Sequence, residues 1–317
     1  MKKLFFTLVA AMMAATTTFA QNTLVATLTH GEDISMYYGT YALRDAMNTA
    51  QSGDVINLSC GGFQAVDIKK AVSLRGTGIE EADPTIIIGD YSIDMEEDDT
   101  NRFSMEGIIC KGLNGITVHR ISANPYFIKS LFHGIFFDCE LKNALFVNCK
   151  ITYGNNSSYT ATLREKGSAH FVNCYIGAGF RNLSNLSSVS FINCVLGYYY
   201  PGTQLNNCQL INCILFSAAT ENVRTLPNTT IASNCVAVND NREMSQLFDN
   251  MQTNSNCKFS TFADMFKNFT GRYSDTQTYE LTDTAKENFL GTDGTEVGMY
   301  GGLLPYDSPP PTLRLRR

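Results

Sequence analysis

The segment FVNCYI (residues 171–176) returns as FINCVL (191–196). Near copies stand at FFDCEL (136–141), FVNCKI (146–151), LNNCQL (205–210), LINCIL (210–215) and ASNCVA (232–237). Counted at Cys149, Cys174, Cys194, Cys213 and Cys235, the steps are 25, 20, 19 and 22 residues. A repeat of that length, rich in aromatic and β-branched residues, is one coil of a strand solenoid, because helical repeats run longer. A five-residue step at Leu205, Leu210 and Leu215 suggests a pentapeptide solenoid instead, but it is not sustained.

Each copy reads as two short strands meeting at a bend. The first apolar residue points inward and the next outward. Asparagine, which tolerates the left-handed conformation better than most residues, then resets the alternation. The cysteine and the aliphatic residue two further on therefore both point inward. Stacked coils place like on like at about 4.8 Å, the inter-strand spacing. The expected structural ladder is Asn148, Asn173, Asn193, Asn212 and Asn234 beside Cys149, Cys174, Cys194, Cys213 and Cys235. Hydrogen bonds between asparagine side chains along the column would satisfy the bend.

Four roles compete for the cysteines. A metal site needs converging ligands, and the chain has no CxxC pair and no histidine beside Cys208 and Cys213. A nucleophile needs a base, and His30, His119, His133 and His170 form no motif with any cysteine. Disulfides between coils fit the backbone spacing but not the parallel side-chain geometry. Packing as free thiols is the favoured role. Cys60, Cys110 and Cys257 fall outside the ladder and stay open.

An asparagine at one bend of each coil resembles the asparagine ladder of right-handed parallel β-helix proteins, the pectate-lyase-like superfamily, over residues 40–240. The stretch YALRDAMNTAQSGDVINL, followed by IKKAVSLRGTG and PTIIIGD, resembles their N-terminal capping helix and first coils. In that helix Leu43, Ala46, Met47 and Ala50 share one face, Thr40 is the expected cap and Ser52-Gly53 the stop. The part beyond Asp240 is similar to the C-terminal segment of uncharacterised exported β-helix proteins of Bacteroides-like bacteria. There NREMSQLFDNM and FADMFKNF read as helical, ahead of Gly-rich turns and a Pro/Arg tail. The expected fold is all-β, a right-handed parallel β-helix with an N-terminal capping helix and a mixed C-terminal segment.

The chain opens MKKLFFTLVAAMMAATTTFA, two lysines, an apolar run and small residues at Thr18 and Ala20. This is the pattern of a secretory signal peptide cleaved after Ala20, and the run is too short to span a bilayer. The expected division is 1–20 signal peptide, 21–240 β-helix with its cap, and 241–317 a capping or side-packing segment. Export leads to the periplasm, the cell surface or the medium, with no membrane insertion. Loss of Lys2 and Lys3 leaves 22 basic and 30 acidic residues, a net charge of −8, which excludes nucleic acid as a partner.

Function is less legible. The outward columns Val147, Val172, Ile192, Ile211 and Lys150, Tyr175, Val195, Ile214, Val236 are nearly all apolar, so they are to be covered by the C-terminal segment, a partner or another copy. The loop Gly197-Tyr198-Tyr199-Tyr200-Pro201-Gly202, with Arg164 and Arg181 nearby in sequence, is the candidate glycan-binding patch. Asp94, Glu96–Asp99, His119-Arg120, Asp138, Glu140 and Lys142 read equally well as ordinary surface. The first functional expectation is therefore an exported, non-catalytic protein that binds polysaccharide or mediates adhesion, with self-association open. The alternative, which the resemblance implies, is a polysaccharide lyase or glycoside hydrolase acting on acidic polysaccharide. No catalytic residue can be placed, no metal site is expected, and Ca²⁺ would enter only with a lyase.

Overall fold

The computed structural model describes residues 23–96, 100–152, 161–163, 167–177, 180–181, 188–197, 205, 207–216, 225–240, 244–251, 253–269 and 278–302. The side chains of 161–163 and 180–181 are not among them. Three sheets wrap one core. The first has twelve strands and starts with an antiparallel hairpin, Val25–His30 and Asp33–Tyr38. It continues through parallel strands from Val55–Leu58 to Thr253–Ser255. The second sheet, from Gly61–Gln64 to Lys258–Ser260, has ten strands, all parallel. The third has five, from Tyr91–Asp94 to Phe180–Arg181. Strands n and n+1 of a sheet come from successive coils, so the molecule is a parallel β-helix.

The corner between the first and second sheets explains the repeat. Asn148, Asn173, Asn193, Asn212 and Asn234 all hold φ between 50° and 55°. Each donates its backbone N–H to the next coil, to Val172, Ile192, Ile211, Ser233 and Ser255 respectively, at 2.8–3.0 Å. Earlier coils place Gly107 (φ 65°) and Lys129 (φ 43°) at the same corner, and Asn256 (φ 54°) takes it in the last. One element of the expectation fails here. The asparagine amides of Asn173, Asn212 and Asn234 do not bond along the column. They reach outward to Met299, Thr292 and Leu290 of the C-terminal segment, as described below.

Behind the corner each thiol lies between two carbonyls. Cys174 Sγ is 3.3 Å from the oxygen of Val172 and 3.5 Å from that of Phe146. Cys194, Cys213 and Cys235 repeat the arrangement with Phe171, Phe191 and Leu210 of the preceding coil. Cys149 N–H in turn donates to Cys174 Sγ at 3.4 Å. One coil earlier Ser130 does the same with oxygen: its hydroxyl donates to Ile128 O, and it accepts from Ile108 N. Cysteine is thus a small apolar group that still makes weak hydrogen bonds to backbone polar atoms at the bend. All ten cysteines are free. Cys257, placed outside the repeat on sequence, stands in its last coil beside Cys235. Its Asn256-Cys257 pair follows Cys235 by the same step of 22 residues that precedes it. Burial holds the Cys149, Cys194 and Cys235 thiols well above their ordinary range, and pushes Cys110 and Cys208 up to about 12.

Phe127, Phe146, Phe171 and Phe191 form the neighbouring inner column. Their rings stack face to face at 4.5, 4.7 and 5.0 Å. In register the column continues as Leu210 and Ala232.

At the start of the chain the helix Ala42–Thr49 buries Ala42, Leu43, Ala46 and Met47 in the same core. Its cap is Tyr41, with no side-chain hydrogen bond, so Thr40 does not cap it. Gly39 (φ 86°) turns the chain into the helix, its carbonyl accepting from Ala42 N. Residues 244–251 are successive turns and not the helix expected, with i→i−3 bonds Leu247–Met244 and Asp249–Gln246. The turns let Met244, Leu247, Phe248 and Met251 all reach the core.

The outer face of the second sheet is covered over its later strands, while Gln64, Ile88 and Lys111 on its early strands stay exposed. Tyr175, Val195, Ile214 and Val236 are buried against Met265, Phe266, Tyr279, Leu281, Val297 and Met299. Tyr175 stacks on Tyr279 at 4.3 Å. The segment 290–301 then lies against the asparagine corner. Asn173 Nδ2 donates to Met299 O and Gly301 O, and Asn234 Nδ2 to Leu290 O. Asn212 exchanges two bonds with Thr292. Glycine makes the approach feasible: Gly298 has φ 86°, donates to Asn212 O at 2.8 Å, and a Cβ there would sit 2.6 Å from Ile214 Cδ1.

Two outcomes are expected. A thiol reagent added to the native protein reacts quickly with no more than Cys60, Cys139 and Cys257, the three half-buried thiols, and with all ten after unfolding without reductant. Gly298→Ala lowers unfolding free energy by about 1–3 kcal/mol in denaturant titration, through the left-handed backbone and the lost space.

Candidate functional site

With the later strands of the second sheet covered, the lateral surface of the later coils lies on the first and third. On the first sheet two outward columns run along the axis in register. One is Tyr126, Leu145, His170, Ser190, Gln209 and Ile231; the other is Ile128, Val147, Val172, Ile192 and Ile211. Tyr126, Ile128 and Val147 are buried, and the Arg102 guanidinium lies 4.6 Å over the Tyr126 ring. Further along the sheet the face opens. His170, Val172, Ile192 and Ile211 are half-buried and Gln209 is exposed. His170 Nδ1 and Ser190 Oγ are 2.7 Å apart, a bond between adjacent strands at one register position. Over the three coils of His170, Ser190 and Gln209 the face is thus a polar strip beside an aliphatic strip, with Ser190 itself buried against His170.

The third sheet carries charge. A register shift between Val118 and Arg120 turns both His119 and Arg120 outward, where a regular strand would alternate them. Arg120 Nε donates to Asp94 Oδ1 at 2.8 Å, and His119 Nδ1 lies 3.9 Å from Asp138 Oδ2. One coil back, Asp67 Oδ1 accepts from both the backbone N–H and the hydroxyl of Ser92. The hydrogen bond from Arg120 is the main cause that holds the Asp94 carboxyl below the usual carboxylate range, with the charges of His119 and Lys69 assisting. At neutral pH such a carboxylate accepts hydrogen bonds and does not donate a proton. Both pairs are solvent-exposed and contribute little to stability.

A groove of about 510 Å³ between the last strand of the second sheet and the helix Asp283–Asn288 is lined by Phe259, Thr261, Asp264, Thr282 and Phe289. Two of its hydroxyls are spent locally: Thr261 donates to the Asp264 carboxylate and Thr282 to the Asp264 carbonyl.

Of the candidate residues read from the sequence, Tyr198, Tyr199, Tyr200 and Arg164 lie outside the described residues. Arg181 ends a strand of the third sheet, and its side chain is likewise outside them. In the acidic run, Glu97, Asp98 and Asp99 are outside them too. The structure instead brings together Asp94, His119, Arg120 and Asp138, dispersed in sequence and ambiguous there. The His170–Ser190 pair carried no sequence signal beyond its place three residues before each Asn-Cys bend. Among the described residues no group of three or more His, Cys, Asp or Glu side chains converges to hold a metal ion. No family model matches the chain, and neither a curated protein nor a solved structure matches it.

The charged pair gives a direct check. In an Arg120→Gln variant the Asp94 carboxyl should titrate at a higher pH than in the parent, read by side-chain carboxyl NMR. An unchanged titration would show that Arg120 does not hold it.

Proposed function

We propose that the protein is exported and binds polysaccharide without cleaving it, holding an extended glycan along the open face of the first sheet. The observation that carries this reading is the double strip itself. Half-buried Val172, Ile192 and Ile211 run beside His170, Ser190 and Gln209, in register across three strands. Its repeat of about 4.8 Å, the inter-strand spacing, is close to the rise of one sugar in an extended chain, so successive residues would meet equivalent contacts. The aliphatic strip suits the C–H faces of sugar rings and the polar strip their hydroxyls. The net negative charge favours a neutral glycan over an acidic one. Tyr198–Tyr200, Arg164 and Arg181 extend the proposal as added contacts from the connecting loops.

A hydrolase acting on polysaccharide is the second reading, and one observation favours it. Asp94 and Asp138 flank His119-Arg120 on strands two apart, about 9–10 Å between backbones, near the upper end of the carboxyl separation in inverting enzymes, about 9.5 Å. Against it, such an enzyme needs one carboxyl raised to act as an acid, whereas Asp94 is lowered.

The two readings separate in one experiment. Affinity electrophoresis in gels containing neutral polysaccharides should retard the protein. The double variant His170→Ala/Gln209→Ala should bind about tenfold more weakly, the loss of one or two hydrogen bonds, with no sugar released by either. Retardation that is equal in parent and variant removes the first-sheet face from the proposal. Sugar release that disappears in Asp138→Asn establishes the hydrolase.

A further inference from the structure

The hairpin that opens the structure leaves its outer strand, Asp33–Tyr38, at the edge of the first sheet. Among the described residues no strand pairs with its far side. Ile34, Met36 and Tyr38 are 64%, 58% and 63% exposed, and they alternate, so all three lie on one face. A long edge with apolar side chains is what soluble proteins usually avoid, by charge, proline or cover. Tyr41, just beyond the strand, is also exposed.

The register of the hairpin fixes which backbone groups are free. His30 pairs with Asp33 across the two-residue turn Gly31-Glu32, and Gly31 has φ 59°. In such a hairpin the closing pair is hydrogen-bonded, and bonded and non-bonded pairs then alternate. Asp33, Ser35 and Tyr37 therefore point their N–H and C=O groups to the inner strand. Ile34, Met36 and Tyr38 point theirs outward. The residues with free backbone groups are the residues with exposed apolar side chains.

We propose that this edge is a dimerisation surface, pairing antiparallel with the same strand of a second copy of the chain about a two-fold axis through Met36. That axis sets Met36 opposite Met36 and Ile34 opposite Tyr38. Each pair joins outward-pointing backbone groups, up to about six new hydrogen bonds in all. Because the register sum is even, the exposed apolar faces of the two copies fall on the same side and form one continuous patch of six side chains. A register shifted by one residue would lose both features.

Two further observations select a second copy as the occupant. First, the contact brings no like charges face to face. Asp33 comes opposite Gly39, and the end that meets the acidic Glu32-Asp33 turn carries Arg44 paired with Asp45. Second, the opposite edge of the sheet, Thr253–Ser255, is exposed and wholly polar. An isologous contact at the hairpin is therefore favoured over a head-to-tail filament. Six residues a side make a contact below about 1,200 Å², which corresponds to weak, micromolar association.

Sedimentation velocity of the purified mature chain tests this. The parent should pass from monomer to dimer over the micromolar range. Met36→Lys and Met36→Glu should each weaken dimerisation about 100-fold or more, because the axis sets like charges opposite each other. Their equimolar mixture should restore it, with Lys opposite Glu. Met36 is exposed, so both variants should keep the parent's circular dichroism and melting profile. A monomeric parent at 100 µM or above overturns the proposal. So does a dimer that survives either single variant, or variants whose mixture stays monomeric. The glycan-binding proposal is untouched by any of these, since its residues lie on a different part of the sheet.

Discussion

From Gly107 onward every coil of this protein turns on one residue held in the left-handed backbone region. An ordinary side chain costs about 1–2 kcal/mol there, so the corner accepts a short list of residues. Gly107 and Lys129 serve the early coils, and six asparagines serve the later ones. The rest follows from that bend. It resets the in-out alternation, so Phe171 and Cys174 both face inward although they are three apart. It also leaves the N–H of Cys149 to the thiol of the next coil, and each thiol shares a bend carbonyl that already accepts an asparagine N–H. Cysteine at this position is explained by size and by weak hydrogen bonding, and no redox or metal chemistry is needed for it.

The same corner explains where surface remains for function. Its asparagine amides point away from the core, and there they meet the backbone of residues 290–301. That segment and the aromatic cluster around Phe216, Phe262, Phe266 and Tyr279 close over the second sheet. The apolar column beginning at Tyr175 is consequently a buried interface within one chain. Over the later coils it is the first and third sheets that present side chains laterally. One offers a half-apolar strip, the other ion pairs with a carboxylate held ionised.

The fold was legible because a solenoid writes its geometry once per coil. Register, bend and inner column could all be read from FVNCYI and its copies. Legibility ended where information is not repeated. Cys257 belongs to the column, but its coil, TNSNCKFS, has lost the apolar residue that marked the others, with Asn254 in that place. The destination of the asparagine amides could not be read, because it depends on a segment more than 50 residues away in every case. The charged cluster was hidden for another reason. Asp94, His119-Arg120 and Asp138 become neighbours only through stacking of the third sheet, and a local bulge decides that both His119 and Arg120 face out. Sequence alternation alone would send one of them inward.

Stacked coils that touch only their neighbours behave like a zipper, free to open from an end one tooth at a time. The segment 290–301 changes this mechanically. It grips Asn173, Asn212 and Asn234, which belong to coils that are not all adjacent, and it threads Gly298 against Ile214 between them. A coil in that stretch cannot peel away alone, because the tie must let go of several at once. The protein is in effect splinted along one side, and its middle coils should open together or not at all. An open glycan-binding face built on those coils would then be held straight by a part of the chain that never touches the glycan.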